Sequence, residues 1–135
     1  MEYIAYKRFN EMSMSGLVDI PVGAKLTCEN SIIKYNGADI CANTSENAHT
    51  YFMRNDDGHG MERGNIINAI FDLLKRPDTD DSDIYDRRWE KVINDPKCQA
   101  FSRAGHDTWI WNHAFYNTTI EILSYIYNLI AGVTV

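Results

Sequence analysis

The segment spanning residues 44–76 admits few folds. Ile66, Ile67, Ile70, Leu73 and Leu74 recur at the three- and four-residue spacing of a helix with one apolar face. Asn65, Asn68, Asp72 and Lys75 occupy the opposite face, and Pro77 stops the helix because it lacks a backbone donor and collides with the preceding turn. Upstream, Thr44 or Ser45 can cap a first helix by accepting a backbone N–H, and Ala48, Tyr51 and Phe52 form its apolar stripe. Gly58 supplies a left-handed stop between the two. The segment reads as helix, tight turn, helix, and the turn is dense in polar groups: Arg54, Asn55, Asp56, Asp57, His59, Glu62 and Arg63.

What precedes it reads as strands. Residues 3–9 are aromatic and β-branched enough for a first strand, 17–20 are stopped by Pro21 and Gly23, and 25–29 alternate polar with apolar. Asn36-Gly37 tolerates the positive φ of a two-residue hairpin turn and should join residues 32–35 to 38–41. A small antiparallel β-meander, curled into a partial barrel, is the expectation. Such a sheet needs helices on its apolar face.

Residues 78–83 form an acidic linker without the glycine and glutamate of a calcium loop. A third helix follows, with Tyr85, Trp89, Val92 and Ile93 as its stripe, and Asp95-Pro96 opens a short element through residue 101. Thr118 and Glu121 match a capping box for a last helix over 119–130. That helix has only a narrow polar strip, so it should lie in the core and also press against another subunit. The expected class is α+β: one domain, 1–135, with a β-rich part (1–42) packed against four to five helices (43–135).

At a formal net charge of −6 the chain is a poor generic nucleic-acid coat. Three cysteines, Cys28, Cys41 and Cys98, with no CxxC spacing, fit a reduced cytoplasmic setting. Neither a signal-like amino terminus nor a bilayer-length apolar run is present, so no membrane role is expected.

Chemistry is concentrated in the polar turn. Gly58, Gly60 and Gly64 let backbone amides approach a ligand, and a helix N-terminus there favours anions. Arg54 and Arg63 can clamp a phosphate or carboxylate, or pair with Asp56, Asp57 and Glu62 instead. The proposed recognition surface is Arg54, Asn55, His59 and Arg63, with Trp109 or Trp111 nearby as aromatic contacts. The turn is neither a P-loop nor a dinucleotide fingerprint. His49, His59, His106 and His113 show no metal-ligand spacing, and no nucleophile elbow exists, so neither cofactor, metal nor catalytic residue is expected. The alternative is a small metal-dependent phosphoesterase or nuclease, with His59 or His106 as acid/base and Asp56, Asp57 or Asp107 holding the ion.

The phrases SENAHTYFMRNDDGHGMERG and RRWEKVINDPKC, with the later WIWNHAFYN, resemble small proteins encoded by phages and prophages of Gram-positive bacteria. The resemblance implies an accessory protein in bacterial cytoplasm that binds a host or defence protein or sequesters a small anionic, nucleotide-like ligand. A virion assembly subunit is a further alternative. A homo-oligomer through helix 119–130 is expected in the leading case.

Overall fold

The computed structural model describes residues 1–102 and 113–133. Trp109 and Trp111, together with His106 and Asp107, lie outside the described residues. The chain divides into two compact units, Met1–Gly64 and Asn65–Val135.

The first unit holds β1 (Glu2–Ala5), β2 (Phe9–Ser13), β3 (Gly16–Ile20), β4 (Lys25–Glu29), β5 (Ile32–Tyr35), β6 (Ala38–Ala42), α1 (Glu46–Tyr51) and β7 (Phe52–Arg54). Five strands form one open antiparallel sheet in the order β6-β5-β4-β1-β7, and β2 pairs with β3 in a separate hairpin. Asn36 (φ 50°) and Gly37 (φ 83°) make the expected turn between β5 and β6. Directly paired residues share a face. Tyr3 lies opposite Leu26, Ala5 opposite Phe52, and Ile33 opposite Cys41, and all six are buried.

The hairpin covers this face with Phe9 and Ile20, neither of which retains measurable exposure. The Phe9 ring stands edge-on to Tyr51 at 5.0 Å and lies 5.5 Å from Phe52. Burial of side chains this size contributes about 2 kcal/mol or more each, which is how a small sheet becomes stable.

Several sequence expectations are corrected. The single strand over residues 3–9 is two strands, because the chain turns at residues 6–8 to send β2 across the sheet. The first helix ends at Tyr51, where Phe52 leaves helical geometry and pairs with Ala5. Phe52 therefore belongs to the edge strand β7, not to a helical stripe; the pairing with β1 outweighs the local helical spacing. Ser45 is the cap of α1, accepting from the Ala48 amide at 3.2 Å. The sheet does not close into a barrel, and β6 and β7 stand at its edges.

The helix α2 (Gly60–Leu74) begins in the last residues of the first unit. The second unit continues with α3 (Ile84–Asn94), a 3-10 turn (Pro96–Cys98) capped by Asp95, α4 (Gln99–Ser102), α5 (His113–Asn117) and α6 (Ile120–Ala131). Phe115 is fully buried, 5.9 Å from Phe71 and 6.4 Å from Phe101 between ring centroids. In α3, Ile84, Trp89 and Val92 are buried, whereas Ile93 points outward. The α6 cap is Thr119, not Thr118, accepting from the Ile122 amide at 3.3 Å. That shift places Glu121 one position too early for a capping box. The last helix also buries one face alone, Leu123, Ile126 and Ile130, with Tyr127 exposed. Among the described residues no helix is long and apolar enough to cross a membrane. The fold class is α+β.

Candidate functional site

The polar turn is organised by Asn55. Strand β7 ends at Arg54, and the Asn55 amide N–H donates to the Glu2 carbonyl at 2.8 Å, extending the β1 pairing by one residue. The Asn55 side chain then works at both ends. Its Nδ2 donates to Glu2 Oε1 at 3.1 Å, and its Oδ1 accepts the Gly60 amide at 2.9 Å where α2 begins. Gly58 N–H closes the turn on the Asn55 carbonyl at 3.0 Å.

Two arginine–aspartate pairs brace the turn on either side. Arg54 Nε donates to Asp56 Oδ2 at 2.8 Å, and the Asp56 carboxylate also accepts the backbone N–H of Glu2. Arg63 Nη2 donates to Asp57 Oδ2 at 2.7 Å, its Nη1 donates to the Arg54 carbonyl, and Asp57 Oδ1 accepts the His59 amide at 3.0 Å. Arg63 is only 2 % exposed. A buried guanidinium is tolerated when its N–H groups are paired and its charge is balanced, as here. Both carboxyls are held below the usual aspartate range: Asp56 first by the Glu2 N–H and then by Arg54, Asp57 first by Arg63 and then by the His59 N–H. His59 is exposed, its Nδ1 3.4 Å from Glu62 Oε2.

Two glycines seat the start of α2 on β1 and the residue after it. A Cβ on Gly60 would meet Ile4 Cγ2 at 2.5 Å, and one on Gly64 would meet the Tyr6 ring at 2.5–2.6 Å. Their role is close packing, with the backbone held against the strand.

Arg54, Asn55, His59 and Arg63 thus gather in one turn, with different orientations. His59 and part of Arg54 face solvent, Asn55 is half-buried, and Arg63 points inward. Glu2, Ile4 and Tyr6 complete the turn and were not signalled by sequence; only the pairing of β1 with β7 brings them in. Of the other histidines, His49 is buried in α1, and His113 sits in α5 with its Nδ1 3.0 Å from Asn117 Nδ2. Among the described residues no group of three or more histidine, cysteine or carboxylate side chains is arranged to hold a metal ion. Cys98 is fully buried, and its thiol is pushed up to about 12 by that burial, with Asp95 adding to the effect.

No known family model, curated protein or solved structure matches the chain.

Proposed function

We propose that the chain is a non-enzymatic binding protein of the phage accessory type that its sequence resembles, and that it engages a protein partner through the turn of residues 54–64. The observation that supports this is the extent of the turn's internal bonding. Arg54, Arg63 and the amides of His59 and Gly60 already donate to Asp56, Asp57, Asn55 and the Arg54 carbonyl. A small anion would have to displace these acceptors, two of them charged. What the turn offers outward is the exposed side of Asp56, Asp57 and Glu62, with His59 and part of Arg54 beside them. Such a carboxylate-rich rim suits a partner surface bearing lysine or arginine.

The test is native mass spectrometry followed by recovery of the small-molecule fraction, run beside capture from a Gram-positive host lysate. The wild type is expected to be free of nucleotide-sized ligand and to capture a defined host protein. Glu62→Lys should lose that protein while keeping the wild-type thermal transition. A co-purifying nucleotide lost in Arg54→Ala would overturn the protein-partner reading in favour of sequestration.

A further inference from the structure

A groove of about 670 Å³ lies within the second unit, away from the polar turn. Arg87, Glu90 and Lys91 line it from one face of α3, where they recur at three- and four-residue spacing, and Asp95 follows just past the helix end. Leu129 of α6 and Val133 beyond it line the same groove, and both are half-buried. A space of this order is what a small-molecule site requires.

Arg87 is what singles the groove out. Arg8, Arg54, Arg63 and Arg76 each donate to a carboxylate, and Arg88 donates to the Leu73 carbonyl at 2.9 Å. Alone of the described arginines, Arg87 makes no hydrogen bond to a described residue. Its Nε, closed off from solvent, stands 3.4 Å from Asp83 Oδ1, an ion pair without a hydrogen bond. In a chain of 19 acidic and 13 basic side chains, that is not for want of carboxylates. Lys91, one helical turn on, makes no ion pair with a described residue. Two cations at this spacing can both donate to one carboxylate.

The acids of the lining limit what else can enter. Asp95 is committed internally, its Oδ1 accepting the Lys97 amide at 2.8 Å and its Oδ2 the Tyr125 hydroxyl. Glu90 is exposed, and its charge opposes a second negative group on a ligand. Polyphosphates are therefore a poor match, and a single anionic group attached to an apolar body is a good one. We propose that the groove binds a small aliphatic monocarboxylate, its head between Arg87 and Lys91 and its chain along Leu129 and Val133. This site does not depend on the protein-partner reading of the turn.

Octanoate is the probe, titrated into the isotope-labelled full chain while amide chemical shifts are followed. Saturable shifts at residues 87–96 and 129–133 are expected, with a Kd of about 1 mM for a ligand of this size. Arg87→Gln and Lys91→Gln should each raise Kd about tenfold or more at an unchanged thermal transition, since neither side chain is buried. Octylammonium, with the same chain and the opposite charge, should leave these amides unmoved. The proposal is overturned if octanoate gives no saturable shifts by about 20 mM, or gives them at other residues. Wild-type affinity in both variants overturns it too, as does octylammonium binding at the same amides, which would make Glu90 the recognising group.

Discussion

The buried Arg63 guanidinium reaches back one turn of α2 and beyond it to Asp57, 2.7 Å away, while also donating to the Arg54 carbonyl. One side chain therefore ties the end of β7, the turn and the helix start together.

Arg63→Ala should destabilise the fold by about 2–3 kcal/mol, since it removes a buried guanidinium and leaves the Arg54 carbonyl without the donor it has from Arg63 and Asp57 without its partner. Arg54→Ala breaks a partly exposed pair and should cost less than about 1 kcal/mol. Urea unfolding of both variants measures the contrast. Equal effects would contradict the inward placement of Arg63.

Acid should act on the same pair. The Asp57 carboxyl titrates lower in the folded chain than in the unfolded one, chiefly because Arg63 donates to it. Its contribution is therefore fully present above the unfolded value of about 4 and is lost as pH falls through the lower folded value. Asp57→Asn should be less stable than wild type at neutral pH, and the gap should shrink below about pH 4. A gap independent of pH in urea titrations would rule the linkage out.

Gly64→Ala sets two effects against each other. Alanine gains about 1 kcal/mol of helix propensity, but its methyl meets the Tyr6 ring, an overpacking that costs about 1–3 kcal/mol. Net destabilisation is expected, and it should be relieved in the background of Tyr6→Ala. Additive single and double variants would show that the two residues do not touch.

Phe9→Ala should cost about 3–5 kcal/mol, because it leaves a void between Tyr51 and Phe52 under the hairpin. The hairpin tip would lose its footing in the same variant, so backbone exchange at residues 9–20 should rise with the loss in stability. Protection unchanged at those residues would show that the hairpin is held without Phe9.

Thiol labelling reports burial directly. Native protein should react first at half-buried Cys28, with Cys41 and Cys98 released by unfolding. Cys98 combines full burial with a thiol raised to about 12. Rapid native labelling of Cys98 would place it in a different environment.

The parts legible in the sequence are those fixed by local chemistry. Asn36-Gly37 announces its hairpin because both residues accept positive φ, and the Ile66–Leu74 spacing announces α2 because neighbouring turns share a face. Residues 17–20 read as a strand, but their pairing with β2 is hidden, since the turn Ser13-Met14-Ser15-Gly16 lacks the Asn-Gly or Asp-Gly signature and Asn10 and Glu11 are poor strand formers. Phe52 fits a helical stripe and is nonetheless a strand residue, because Ala5 waits opposite it. The turn's residues could be gathered from sequence by their density alone. Their orientations could not, because Arg63 is inward only once β7 has carried the Arg54 carbonyl beside it.

Strand β1 occupies an interior place in the sheet, with Tyr3 in register with Leu26 of β4 on one side and Arg54 of β7 on the other. During synthesis the earliest strand thus waits for the latest one, and the seat beside it stays vacant until residue 54 has cleared the ribosome. Completion of the sheet and ordering of the polar turn are thereby coupled, since Glu2 is the anchor for both Asn55 and Asp56.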